Sequence, residues 1–162
     1  MTYPSRALCL SPTDTAYLAG IVDGEGTITI SKLSRLRGAF YPVVSISNTK
    51  QILIDWCSAR IPGGVYVKGR ENVRWRTAHQ IVWNGWKALE IVKLLEPFLV
   101  IKQNQARLII DLATDHYRAL DEVGAHNKFS YRRPPPEWLL EKRAVAYHAM
   151  RELNRRGAIA NA

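Results

Sequence analysis

The pattern becomes regular at Ser11-Pro12-Thr13-Asp14, where a capping serine, a proline suited to the first helical position and a carboxylate near the positive end of the helix dipole predict a helix start. That helix runs to about Asp23 and stops, because Gly24 and Gly26 bracket Glu25 and supply the backbone freedom an exit needs. Thr27-Ile28-Thr29-Ile30-Ser31 then alternates polar and apolar. Tyr41 to Ser47 alternates again with Val44 and Ile46 on one side, giving a hairpin joined through Arg35 to Ala39. Thr49 to Ile61 returns to helical spacing through Ile52, Leu53, Trp56 and Ile61, and Pro62-Gly63-Gly64 ends it. Val65-Tyr66-Val67 and Trp75 to Trp83 predict a second hairpin turning near Arg70 to Asn72. From Gly85 the period is helical again: Leu89, Val92 and Leu95 share a side until Glu96-Pro97 interrupts, and Leu99 to about Arg118 makes a further helix. The order is therefore αββαββα. Gly124, Asn127 and Arg132-Arg133-Pro134-Pro135-Pro136 predict a connector over 124–136, followed by a helix from Glu137 to about Arg156. The two αββ halves share negligible identity, so no internal repeat is assigned.

With 162 residues, the chain is read as one domain over 1–162, with a core at about 12–118 and a C-terminal loop and helix at about 119–157. Hydrophobic residues at 47% and charged residues at 23% exclude a disordered or low-complexity chain. No apolar run reaches the roughly 18 residues a bilayer span needs, and MTYPSRALCLSPTD lacks the basic and apolar regions of a secretion signal. The expectation is an intracellular protein without a membrane partner, in a prokaryotic or phage cytoplasm or an organelle. Cys9 and Cys57 lie far apart with no CxxC, and the four histidines show no ligand spacing, so both cysteines are read as buried fillers and no zinc site is expected.

The formal charge of +9 changes the picture, because it is concentrated: residues 27–83 hold nine basic side chains and two acids, Asp55 and Glu71. Such an excess on the segment that forms the strands favours a polyanion lying on the sheet. Alternation nominates the outward residues. If Ile28 and Ile30 face the core, then Thr29, Ser31, Arg35 and Arg37 face outward with Tyr41, Ser45 and Ser47. On the second hairpin Tyr66, Lys68 and Arg70 share a face, and Arg74, Arg76 and Gln80 lie opposite Trp75, Ile81 and Trp83. A twisted antiparallel sheet can enter the major groove, where arginines pair with guanine edges, while Lys32 or Lys68 serves phosphates as readily as bases.

Residues 18–26 read Leu18-Ala19-Gly20-Ile21-Val22-Asp23-Gly24-Glu25-Gly26. This resembles the nine-residue signature of the LAGLIDADG homing endonucleases, with Ile and Val exchanged into the helix, Gly at the seventh place and Glu for Asp at the eighth. Pro97-Phe98-Leu99-Val100-Ile101-Lys102-Gln103, followed by Gln105-Ala106, is similar to the PxLxxKxxQ-type segment of the same family. The resemblance spans roughly residues 12–112. It implies an α+β fold, an αββαββα core with an antiparallel DNA-binding sheet, here extended by C-terminal helices. It also implies site-specific, metal-dependent double-strand breaks in a long pseudopalindromic DNA site, in the service of intron mobility. The alternative on the same scaffold is a non-cleaving DNA-binding regulator or an intron RNA maturase, with intron RNA as partner.

The motif occurs once, which in this family implies a homodimer. Ala19, Gly20 and Gly24 would give the helix a small-residue face on which a second copy approaches closely. The resemblance makes Glu25 the metal ligand and catalytic acid, and the Gly24 carbonyl a second ligand, for Mg²⁺, with Mn²⁺ substituting and Ca²⁺ supporting binding without cleavage. Asp23 is expected to hold backbone groups at the helix end instead of metal. Lys102 matches the family's active-site lysine, which offsets charge near the scissile phosphate or orders water. Asn48 lies where relatives carry a Gln or Asn that contacts water, although capping the following helix is an equally good local reading.

Overall fold

The protein is described here by a computed structural model covering residues 10–32, 40–68, 76–122 and 136–155. Helix α1 spans Pro12–Glu25, with Ser11 Oγ accepting the Asp14 N–H at 3.1 Å and Pro12 in the first turn. It runs two residues past the expected stop at Asp23. Gly24 and Glu25 keep helical geometry, and the Gly26 N–H closes on the Ile21 and Val22 carbonyls. The break comes at Gly26 because a Cβ there would lie 2.7 Å from Val22 Cα, so only glycine lets the chain turn from helix directly into strand β1, Gly26–Lys32.

Strand β2 (Phe40–Asn48), helix α2 (Gln51–Arg60), strands β3 (Gly64–Lys68) and β4 (Ala78–Asn84) and helix α3 (Trp86–Leu95) follow in the expected order. Helix α2 begins at Gln51 rather than Thr49 because Asn48 Oδ1 accepts the Lys50 N–H at 2.8 Å, a side-chain turn that holds the intervening backbone out of the helix. A 3-10 turn occupies Glu96–Phe98, so helix α4 starts at Gln103, not at Leu99, and runs to Glu122. Helix α5, Glu137–Leu153, completes the described chain. The two hairpin turns, at 35–39 and 70–72, lie outside the described residues, as do Trp75 and Cys9.

The strands form one antiparallel sheet in the order β1-β2-β4-β3. Its register sets the faces: Ile28 pairs with Val44, Ile46 with Ile81 and Ile81 with Val65, so Ile28, Ile30, Val44, Ile46, Ile81 and Trp83 all point to one side and are buried. These side chains form the core with Leu18 and Val22 of α1, Ile54 and Cys57 of α2, and Ile91, Val92 and Leu95 of α3. Trp83 keeps its indole satisfied in that core by donating Nε1–H to the Ile61 carbonyl at 2.9 Å. Burial pushes the Cys57 thiol up to about 11, which leaves it protonated and inert. No helix among the described residues is long and apolar enough to cross a membrane.

Helix α5 packs on α4 and against β1, burying Leu139, Ala146 and Met150. Between α4 and α5, Lys142 pairs with Asp115 at 2.8 Å, and an Arg143 guanidinium nitrogen lies 2.9 Å from His116 Nδ1. Burial, and then the Arg143 charge, hold His116 below the usual imidazole range. Protonation thus favours the unfolded chain, where the ring is hydrated and away from Arg143. Stability is complete above the ordinary imidazole value of about 6.5 and falls as the pH drops from there toward the lower folded value. Thermal melts from pH 7.5 to 5.5 are expected to show this loss, and His116→Gln to flatten it; parallel profiles for the two proteins would contradict the assignment.

Candidate active site and nucleic-acid interface

The end of α1 and the start of α4 are joined by two reciprocal contacts. The Asp23 carboxylate accepts three consecutive backbone N–H groups, from Val100 at 2.7 Å, Ile101 at 3.2 Å and Lys102 at 2.9 Å. In return the Lys102 ammonium donates to the Asp23 carbonyl. Each contact suits its helix end: a carboxylate meets the unpaired N–H groups leading into α4, and a cation meets the carbonyl end of α1, which has no basic residue in its last turn. Burial draws the Lys102 ammonium below the ordinary lysine range, opposed by the Asp23 charge.

Glu25 is the last residue of α1 and is exposed. It stands two residues beyond the Asp23 carbonyl that holds Lys102, so acid and lysine belong to one helix end. Asn48 sits at the end of β2 with its Oδ1 engaged by the Lys50 N–H, and the same register that pairs Gly26 with Ile46 puts this strand end beside the α1–β1 joint. Among the described residues no three His, Cys, Asp or Glu side chains converge as a metal cage. What α1 presents is one exposed carboxylate and backbone oxygens. This all-oxygen set suits Mg²⁺, which takes one or two carboxylates and completes its octahedron with water and phosphate.

Gly20 and Gly24 are exposed, and a Cβ on either would meet nothing within 4 Å. Ala19, expected beside them, is 0% exposed and enclosed by its own chain, so it belongs to the core and not to a contact face. Close to Asp23, its hydrogen bonds hold out a turn on which Val100 is 85% and Ile101 70% exposed, a pair of bare aliphatic side chains that periodicity does not single out.

On the sheet face turned from the core, the register brings together Thr29 and Ser31 of β1, Tyr41, Ser45 and Ser47 of β2, Gln80 of β4 and Tyr66 of β3, with Ser47, Gln80 and Tyr66 in one row across three strands. Arg76 is exposed just before β4 in phase with Gln80. Lys32 departs from the expected set. It pairs with Phe40 in the phase of Ile28 and Ile30, and its ammonium lies 5.7 Å from the Phe40 ring centroid at the end of β1. Arg35, Arg37, Arg70 and Arg74 lie outside the described residues, and Lys68 is placed only by its backbone at the end of β3.

Sequence reasoning missed the clasp at the C-terminal end of α5. Asn154 Nδ2 donates to the Ile28 carbonyl at 2.9 Å, and Gln105 Nε2, nearly buried in α4, reaches Asn154 Oδ1 and the Leu153 carbonyl at 3.4 Å each. The only signal for it was a polar Gln105 interrupting the apolar side of α4. For the Asp23 junction, Asp23→Ala should cost about 2–3 kcal/mol, since it strips a charged acceptor from three N–H groups at once. Urea denaturation checks the loss, and hydrogen exchange should show faster exchange at residues 100–102; unchanged exchange there would refute the role given to Asp23.

No family model matches the chain, and no curated protein matches it in sequence. Solved structures do match. The archaeal intron-encoded homing endonuclease I-Vdi141I, complexed with DNA, superposes at a TM-score of 0.66 and 14% identity over 93% of this chain and 89% of its own. The LAGLIDADG homing endonuclease I-LtrWI, bound to target DNA, gives 0.58 and 19% over 91% of this chain and 47% of its own. The homing endonuclease I-CvuI, in complex with a DNA target, gives 0.51 and 19% over 85% of this chain and 94% of its own. Together with the element order and the sheet register, these likenesses show that the chain has the LAGLIDADG homing endonuclease fold.

Proposed function

We propose that this chain is a homodimeric, Mg²⁺-dependent endonuclease that makes site-specific double-strand breaks in a long pseudopalindromic DNA site, of the kind that moves introns. The observation that carries the reading is the end of α1, where an exposed Glu25 follows directly on the Asp23–Lys102 junction and precedes, with no intervening loop, the first strand of a polar-faced sheet. The bound neighbours support a DNA partner. I-CvuI has been solved on DNA with 2 mM Mg, uncleaved, and with 2 mM Ca.

Glu25 and the Gly24 carbonyl would hold the metal, which when bound supplies a nucleophilic water and offsets charge at the leaving oxygen. The residues of the chain itself do the rest. Asp23 fixes the turn that carries Lys102, and Lys102, held at the carbonyl end of α1, places a positive charge where a scissile phosphate would meet the helix end. Asn48, fixed by its bond to Lys50, leaves an amide to orient water. The polar sheet face lies along the duplex, with Gln80, Tyr66, Ser45 and Ser47 toward base edges and Arg76, just before β4, toward guanines or phosphates.

One copy supplies one acid. Two strand cuts need two, and a second copy is supported by the open space that Gly20 and Gly24 leave on α1 and by the apolar area that Val100 and Ile101 expose nearby.

A selection from a randomised duplex library, run in parallel with Mg²⁺ and Ca²⁺, tests the function directly. Cutting only in Mg²⁺ is expected; specific binding without cutting in either metal would replace the enzyme by a regulator or an RNA maturase. On the selected duplex, Glu25→Gln should slow cutting by more than about 100-fold, because loss of even an outer-sphere partner of a metal ligand costs 10–100-fold, while binding in Ca²⁺ stays near the wild-type value. A mutant cutting at the wild-type rate would remove Glu25 from the mechanism. Gly20→Leu should fold, since the protomer has room for the side chain, yet sediment as a monomer; a dimer of unchanged affinity would place the interface elsewhere.

A further inference from the structure

The DNA-reading sheet has a neighbour that the proposed function does not use. His148 and Arg151, three residues apart on α5, and Arg155, two residues beyond the end of that helix, are exposed and border one open hollow shared with Glu152, so the three form one stripe. The side of α5 that carries Trp138, Lys142 and Val145 is turned toward α4, where these residues share a hollow with Leu108 and Asp111. The basic stripe lies round the other side of the helix, next to Tyr147 and Asn154, which hold α5 to the sheet.

Two contacts fix where that side is. Asn154 binds the Ile28 carbonyl on β1, an edge strand of the sheet, and the Tyr147 ring lies 5.4 Å from that of Phe40, the partner of Lys32 at the far end of β1. Helix α5 therefore runs along the β1 edge. The aromatic pair is sandwiched between cations, with Lys32 over Phe40 and the Arg151 guanidinium 5.9 Å from the Tyr147 ring centroid. Positive charge thus continues from Lys32, in the core-side phase at the end of β1, to Arg151 on α5 and on to Arg155 just past its end. Its one acid, Glu152, is 3.6 Å from Arg155 in a pair whose side chains are about three-quarters exposed, too weak an attachment to occupy the arginine.

We propose that this face of α5 is a sugar-phosphate clamp: His148, Arg151 and Arg155 grip the backbone of a DNA duplex beyond the part read by the sheet, on the β1 flank. The proposal rests on the sheet being a duplex-binding face and adds contacts that position the DNA without reading its sequence. It accounts for three features together: the stripe is basic, it is turned away from the packed side of α5, and its C-terminal end is tied to β1 by the Asn154 hydrogen bond.

The test uses the full chain in Ca²⁺, with two probes: the duplex that the wild-type protein selects, and a scrambled duplex of equal length. The double variant Arg151→Gln, Arg155→Gln should weaken binding to both by the same factor, about tenfold at 0.1 M salt. It should also lower the slope of log affinity against log salt by about 0.9 for every phosphate no longer neutralised, near 2 for each protomer engaged. The ratio of selected to scrambled affinity should not move. Arg151→Lys, Arg155→Lys should keep the slope, and all variants should melt as the wild type does. An unchanged slope in the glutamine variant, or a loss confined to the selected duplex, would overturn the clamp while leaving the sheet reading intact. A loss seen only with a single-stranded RNA of equal length would assign the stripe to RNA and overturn it as well. If the wild-type protein retains neither duplex, the sheet reading itself has failed, and the clamp with it.

Discussion

The structure depends on one polar junction. Two helix ends with opposite orphaned groups meet where α1 stops and α4 starts, and Asp23 and Lys102 satisfy them crosswise: a carboxylate on three N–H groups, an ammonium on a carbonyl. Apolar packing alone would leave the two helices free to slide, because dispersion and area burial carry little direction. The junction is directional. It sets the axial position of α1 against the turn at 100–102, and with it where Glu25 stands and which aliphatic side chains remain bare beside it.

That junction explains why the order of elements was legible and their ends were not. Alternation in Thr27 to Ser31 and in Tyr41 to Ser47 reports burial on one face, a property of each strand by itself, and the register confirms it residue by residue. Element ends answer to partners far along the chain. Helical spacing predicts α4 from Leu99, but the N–H groups of Val100 to Lys102 are claimed by an aspartate more than seventy residues earlier, and the helix begins only at Gln103. Helix α1 outlasted its expected end for a related reason. The steric veto on a side chain lies at Gly26, against the Val22 backbone, while Gly24 has open space around it and no local need to leave the helix.

Of the site, the polar face of the sheet and the identity of the motif residues were visible in sequence, while their orientation about each element was less so. Ala19 and Gly20 are adjacent in the motif and both small, yet one is sealed in the core and the other open, because neighbouring helical positions differ by about 100° around the axis. Lys32 shows the same limit for a strand: its charge nominated it for phosphate contacts, and the two-residue period puts it in the phase of the core side. The clasp of Gln105, Asn154 and Ile28 joins parts of the chain with no shared pattern. Only a polar residue among the apolar positions of α4 hints that something must satisfy it.

The joint between α1 and β1 ties the exposed acid to the polar face of the sheet. Glu25 ends the helix, Gly26 begins the strand, and Thr27 is the first side chain on the outer face, so no flexible segment separates the acid from the polar face of the sheet. A loop there would let the carboxylate sample several positions relative to that face, and its placement would lose definition. The close approach of Gly26 to Val22 removes that freedom sterically, and the Asp23 bonds remove what remains along the helix axis. At the opposite side of β1, Asn154 takes the Ile28 carbonyl, which both covers an edge strand and braces it two residues from the joint. The strand that carries the acid into the sheet is thus held at its start by a glycine contact, along its length by β2 and at its outer edge by α5, which makes the position of Glu25 a property of the whole sheet.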